Sequence, residues 1–345
     1  MTRTKLILFG VLALILIAGG VGLATLLASS PAGAPASVPP PQDTTRISQE
    51  LTSAALREAV TPGGILEHER RFAAIAEENG GNRAAGTPGY RASAEYVART
   101  LREAGYEVRM KRFGLPHEDE GGATTNVIAT SPEGDEEHTV MLGAHLDSVP
   151  AGPGINDNGS GSATILEIAE EMAQLDETPR NRVRFAFWGG EELGLLGSNH
   201  YVKRLSAGEI ENVAVYLNFD MVASPNYVRF LYGSPEVTQV FEDYFESQGL
   251  ETETFDLAGR SDHGPFAAED VPVGGIFSGD STIKTENQEE DYGGAAGEPY
   301  DGCYHRSCDD LDNISRRGLD EISDAAAHAT VTFAQREYHS ATRNN

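Results

Sequence analysis

The stretch TVMLGAHLD, Thr139 to Asp147, decides how the chain is read. Thr139 to Ala144 is a short apolar run that ends on an imidazole and, two residues later, a carboxylate. Two further runs have the same form, Val183 to Trp188 leading into Glu191 and Glu192, and Val213 to Phe219 leading into Asp220. Asn126 to Ala129 adds a fourth candidate strand, and Ala163 to Leu175 carries apolar residues at helical spacing. Short β-branched or aromatic runs alternating with helices predict one α/β domain, its mixed and largely parallel central sheet flanked by helices on both faces. In such open sheets ligands bind beyond the carboxyl ends of the strands, so His145, Glu191, Glu192 and Asp220 are expected to converge on one crevice.

Outward from these strands, Ile47 to Val60, Leu66 to Glu78 and Tyr90 to Ala104 are read as surface helices, the last stopped by Gly105. Ser278 to Pro299 is rich in glycine and polar residues and is read as a long loop near the site. No internal repeat is visible, and the short Asn126 to His145 interval leaves no room for a large inserted domain.

Toward the amino end, Leu6 to Ala28 is almost wholly apolar and is preceded by Arg3 and Lys5, the form of a translocation signal. Its length suits a single-pass anchor, since roughly 20 apolar residues span a bilayer and a cleavable core runs about 7 to 15. The small residues from Ala28 to Ala34 suit cleavage instead. Residues 1–30 are thus a signal peptide or signal anchor, 31–45 a Pro/Ala-rich linker and 46–345 the folded domain, expected to be monomeric. Either fate places that domain outside the cytoplasm, secreted or tethered to the outer membrane face. No cysteine follows the apolar run, which argues against a lipidated anchor.

The 345 residues carry 53 acidic and 26 basic side chains, a net charge of -27. That charge disfavours nucleic acid and anionic membranes as partners. It reads as solubility or as adaptation to high salt; lysine is scarce, with only Lys5, Lys111, Lys203 and Lys284.

Each acidic or imidazole position has an ordinary reading beside a chemical one. In extended chain His145 and Asp147 lie on the same side, which suits a metal-binding imidazole oriented by a carboxylate, or equally a satisfied core histidine. Gly154 to Gly161 is a glycine-rich bend in which Asp157 either caps a turn or offers its two oxygens to two metals. Glu191 and Glu192 repel one another unless a positive charge lies nearby, although paired acids also occur on solvated helix starts. Tyr304 and His305 lie between Cys303 and Cys308, which in an exported chain read as a disulfide. Together the nitrogen and oxygen donors suit Zn²⁺, with neither cysteine needed as a ligand.

Taken together, GAHLDSVPAGPGINDNGSGSA (143–163), FAFWGGEELGLLGS (185–198), LNFDM (217–221), GRSDHGPF (259–266) and CYHRSCDDLDNI (303–314) resemble the secreted bacterial di-zinc leucine aminopeptidases, particularly the Streptomyces type. GGNRAAGTPGY (80–90) and SDAAAHA (323–329) extend the resemblance from about Ile47 to Phe333. It implies that His145, Asp157 and Asp220 hold one zinc and that Asp157, Glu192 and His305 hold the other. By the same resemblance Asp147 orients His145, Glu191 is the general base, Tyr304 stabilises the oxyanion and Arg260 contacts substrate. A cis Asp157–Asn158 bond, calcium at Asp320 and Asp324, and a first-residue pocket near Ile276 and Phe277 are implied as well. The implied substrate is a peptide or protein amino terminus, large apolar first residues such as leucine being preferred and the α-amino group lying among Glu191 and Asp220. Other zinc exopeptidases and glutaminyl cyclases are the alternatives in chemistry, and a non-catalytic membrane-anchored ectodomain is the alternative in class.

Overall fold

The segment read as one helix over Ile47 to Val60 divides in two: β1 (Gln49–Glu50) comes first, and Thr52 then caps α1 (Ser53–Ala59) by accepting from the Ala55 N–H. The structure, a computed structural model, describes residues 49–116, 122–175 and 177–338. The expected signal or anchor and the Pro/Ala-rich linker lie outside the described residues. Among the described residues no helix is long and apolar enough to cross a membrane.

Thr61 and Thr87 cap α2 (Pro62–Glu78) and α3 (Pro88–Glu103) in the same way, each with proline in the first turn, where its missing N–H costs nothing. Three strands follow, β2 (Glu107–Gly114), β3 (Ala123–Thr130) and β4 (Asp135–His145). After α4 (Gly161–Gln174) come β5 (Glu177–Thr178) and β6 (Asn181–Trp188). The short helices α5 (Leu196–Val202) and α6 (Ala207–Glu211) lead to β7 (Val213–Phe219) and β8 (Phe230–Gly233). The order closes with α7 (Pro235–Ser247), β9 (Glu253–Thr254), α8 (His263–Ala267), β10 (Val273–Phe277), α9 (Glu286–Tyr292) and α10 (Arg316–Ala334).

Eight strands form one sheet in the order β2-β3-β6-β4-β7-β10-β8-β9, while β1 and β5 pair separately. Its centre, β6-β4-β7-β10, is parallel throughout. Side chains alternate across it: Val140, Leu142 and Ala144 face one core with Phe185, Phe187, Val215 and Leu217, and Met141 faces the other with Ala186, Trp188 and Tyr216. Helices α3, α4, α7 and α10 cover the first face, and α6 and α8 cover the second. The mixed, mostly parallel architecture expected from the sequence is therefore present. Gly143 is required where it stands, because a Cβ there would lie 2.0 Å from the hydroxyl of Tyr216. That tyrosine stacks on Phe266 at 4.1 Å and receives the indole N–H of Trp188 at 2.7 Å.

A second expectation is corrected. Ser278 to Pro299 is not all loop, since α9 lies within it, opened by a reciprocal capping box between Thr285 and Gln288. Its exposed face is so acidic and polar that no apolar stripe marked it.

Arg83, between α2 and α3, ties two of the site's segments together. Its fully buried guanidinium donates to the carbonyl of Leu146 beyond β4, and to those of Pro153 at 2.9 Å and Gly154 at 2.5 Å. Burial lowers its pKa to about 10, against the opposing charges of Asp309, Asp147 and Asp157. Arg83→Met strands three buried carbonyls and is expected to cost about 3 kcal/mol of unfolding free energy. Arg83→Lys should recover little of it, because one ammonium cannot reproduce the fork. Urea denaturation of the two variants checks this, and a wild-type midpoint for either would refute the clamp.

Candidate metal centre

The carboxyl ends of the parallel strands meet at one small cavity of about 60 Å³. His145 closes β4, Glu191 and Glu192 follow β6, Asp220 follows β7 and Phe277 closes β10. Asp157 comes from the Ile155–Ser160 turn ahead of α4, and Tyr304 and His305 come from the loop closed by the Cys303–Cys308 disulfide.

Asp157 lies between two imidazoles. Its Oδ1 is 3.3 Å from His145 Nε2, and its Oδ2 is 3.1 Å from His305 Nε2. His145 Nε2 also meets Asp220 Oδ1 at 3.3 Å, and His305 Nε2 meets Glu192 Oε2 at 3.1 Å. Two sets result, His145–Asp157–Asp220 and Asp157–Glu192–His305, each with its ligand atoms within 4.8 Å of one another. Glu191 lies beside the first, its Oε2 3.9 Å from His145 Nε2. The peptide bond after Asp157 is cis. Met221 and His305 both hold positive φ, 54° and 57°, which non-glycine residues adopt only where surrounding contacts impose it.

Those contacts are polar and buried. Asn158 donates to the Phe219 carbonyl at 2.9 Å and accepts from the Met221 N–H at 3.1 Å, tying the Asp157 turn to the end of β7. Asp309 accepts from the backbone N–H groups of Asn156 at 2.8 Å and Asp157 at 3.0 Å, tying the same turn to the chain just past the disulfide. Asp301 accepts from Asn156 at 2.6 Å, and Ser261 donates to Asp220 Oδ2 at 2.6 Å. Asn156, Asn158, Asp309 and Ser261 were not singled out in the sequence, although consecutive polar residues around Asp157 in an otherwise glycine-rich bend were a usable sign.

Several expected positions differ in detail. Asp147 meets His145 Nδ1 through its own backbone carbonyl at 3.0 Å, whereas its carboxylate stands 3.9 Å away. The carboxylate instead accepts from the N–H groups of Gly190 at 2.8 Å and Glu191 at 3.2 Å, holding the Glu191–Glu192 segment in place. Extended chain predicted the side-chain contact; the strand ends at His145, so the alternation stops there. Phe277 lines the cavity with Met221 and Leu257, but Ile276 is fully buried in the main core. Arg260 lines the cavity, and its Nε donates to the Leu257 carbonyl at 3.2 Å. Asp320 and Asp324 lie on α10, away from both sets; Asp324 accepts from the Tyr244 hydroxyl at 3.3 Å.

The electrostatics call for cations. Burial, then the charges of Asp220, Asp262 and Asp147, raise the Glu191 carboxyl well above its usual range, although His145 opposes them. Burial and Asp157 push Glu192 up to about 7. Burial would raise Asp157 too, but its bonds to His145 and His305 hold it at about 2. Among the described residues no lysine or arginine pairs with any of these carboxylates, and Glu192 Oε1 is buried without a hydrogen-bond partner. A nitrogen and oxygen donor set with spacings of 3.1 to 3.3 Å fits Zn²⁺, whose ligands stand about 2.0–2.1 Å from the ion.

The profile of peptidase family M28 matches residues 126–330. The chain belongs to peptidase family M28. It is 45% identical to leupeptin-inactivating enzyme 1 of Streptomyces exfoliatus over 78% of this chain and 61% of that one. It is 46% identical to an aminopeptidase of Pseudomonas aeruginosa over 60% of this chain and 41% of the relative. The chain thus spans about half the length of the curated relatives it matches. In fold it is similar to a zinc aminopeptidase from Bacillus subtilis, with a TM-score of 0.69 at 19% identity, covering 81% of this chain and 96% of that one. A glutaminyl cyclase from Porphyromonas gingivalis superposes with a TM-score of 0.62 at 18% identity, covering 79% and 98%.

Because the disulfide fixes the loop that carries His305, opening it should loosen one donor set and spare the other. In the Cys303→Ser/Cys308→Ser double variant the Asp157–Glu192–His305 set is expected to hold zinc at least 10-fold more weakly than in the parent, as read by titration after chelation. An affinity equal to the parent's would show that the loop is held by its hydrogen bonds alone.

Proposed function

We propose that the protein is a two-zinc aminopeptidase that removes the first residue of peptides, with large apolar residues such as leucine preferred. The observation that carries this reading is Asp157, whose two carboxylate oxygens face two different imidazole and carboxylate sets. His145, Asp157 and Asp220 would hold one ion, and Asp157, Glu192 and His305 the other. Zinc held there would supply a lowered pKa for bound water and polarisation of a carbonyl oxygen.

Glu191 is suited to move the proton. Its carboxyl, raised by burial and by its acidic neighbours, can take a proton from water at the cavity and return it to the departing amine. Tyr304 lines the same cavity, and burial, together with Asp157, Asp220 and Glu192, raises the pKa of its hydroxyl, so it stays protonated and can donate to an oxyanion. Carboxylates of Glu191 and Asp220 would receive a free α-amino group, and Arg260 at the rim would meet the peptide beyond the scissile bond. Met221, Leu257 and Phe277 supply apolar wall for a first side chain.

The acidic surface and the expected N-terminal segment support an extracellular monomer acting on peptide or protein amino termini. Calcium at Asp320 and Asp324 is left out of this reading, since Asp324 is already engaged by Tyr244 and stands 3.9 Å from Arg57.

The purified protein should hydrolyse leucine p-nitroanilide, lose that activity to 1,10-phenanthroline and regain it with Zn²⁺. Turnover of an N-acetylated peptide alone, or cyclisation of an N-terminal glutamine, would overturn the assignment in favour of another zinc exopeptidase or a glutaminyl cyclase. Glu191→Gln is expected to lower kcat by about 10²- to 10⁴-fold with zinc content kept. Tyr304→Phe should lower kcat by about 100-fold with little change in KM, the signature of a donor that acts in the transition state.

A further inference from the structure

A second group with the donor chemistry of a metal site lies away from the cavity, where α2, α3 and α4 meet. His68 of α2 points its Nε2 at Glu167 Oε2, 3.4 Å away, and at Glu170 Oε2, 3.0 Å away, both on the next turn of α4 from one another. These atoms lie within 4.8 Å of one another, as in the two sets around Asp157, and their spacings bracket the 3.1 to 3.3 Å seen there.

His68 is 6% exposed, and its Nε2 is buried and meets the two carboxylates without a hydrogen bond of good geometry. The other ring nitrogen, Nδ1, is 2.7 Å from the Tyr96 hydroxyl on α3, a contact that fixes the ring and can leave Nε2 as the free lone pair. Among the described residues neither glutamate pairs with a lysine or arginine. Glu167 is itself buried at 6% exposed and lies directly on α2, where a Cβ on Gly64 would come within 1.8 Å of its Oε1. Glu170 is partly exposed, 32% for its side chain, which leaves a way in from solvent.

We infer that His68, Glu167 and Glu170 bind a further divalent cation of the zinc type, which pins α2 to α4. Three protein donors of one nitrogen and two carboxylate oxygens, with water completing the shell, are the donor chemistry zinc takes. Without a cation the same two glutamates hold a protonated imidazole, pushed up to about 10 although burial works against it. The cation replaces that proton. The ion acts on the scaffold: α4 starts at Gly161, just past Asp157, and α2 leads into the segment that carries Arg83.

The inference is independent of the aminopeptidase reading, and its test separates the two. Zinc per chain is measured by mass spectrometry after stripping with dipicolinate and dialysis against Zn²⁺, for the parent, Glu170→Gln and His68→Gln. Each variant should carry one equivalent less than the parent and keep its turnover of leucine p-nitroanilide. Glu170→Gln is isosteric and partly exposed, so it reports even if His68→Gln folds poorly. Equal zinc content in the parent and Glu170→Gln would overturn the inference and leave His68 as an imidazolium in an ion pair. A parent that holds one zinc, lost in Glu170→Gln, would sustain it and refute the two-zinc proposal instead.

Discussion

Four carboxylates, those of Asp157, Glu191, Glu192 and Asp220, share one small cavity with no lysine or arginine paired to them among the described residues. Like charges at that separation cannot all stay ionised in a low-dielectric interior. The protein meets this with two imidazoles and with glutamate carboxyls whose pKa values are raised, and divalent cations meet it better. Much of the surrounding structure holds these groups where repulsion would otherwise spread them. Asp157 sits at the centre because it alone touches both imidazoles.

What holds the carboxylates is backbone geometry fixed by buried amides. Asn158 bridges the Asp157 turn and the end of β7, and Asn156 bridges it to Ser224 and Asp301. Asp309 receives two consecutive N–H groups of that turn and has its own carboxyl pushed up to about 7 by burial. Arg83 performs the equivalent task from the other side of the turn. Asn313 donates to both Asp301 and Asp309, so the network closes on itself and leaves few of its members unsatisfied.

The central sheet was legible because its strands bury both faces and therefore read as apolar runs ending on polar residues. Asn126 to Ala129 was legible in the same way as part of β3, but β2 and β10 were not. β2 is exposed along most of its length and carries Arg109, Lys111 and Arg112, a pattern that protects an edge and hides a strand. β10 contains Gly274 and Gly275, poor strand formers; at Gly275 a Cβ would lie 1.9 Å from the Asn218 carbonyl, so the close approach of β7 demanded glycine. Within the site, residues at strand ends could be placed by topology alone. The contact of Asp147 could not, because the chain leaves the strand between it and His145, and neither could the supporting asparagines, whose roles depend on which distant carbonyl they meet.

The donors around the cavity are spread from residue 145 to residue 305, and no two of them from different strands approach until β4, β6 and β7 are side by side. Contacts of such wide sequence separation form late, after the entropy of closing the intervening loops has been met. Zinc held there would therefore be captured by a chain already folded rather than template it. Bound to the native state alone, it would slow the loss of structure far more than hasten its gain.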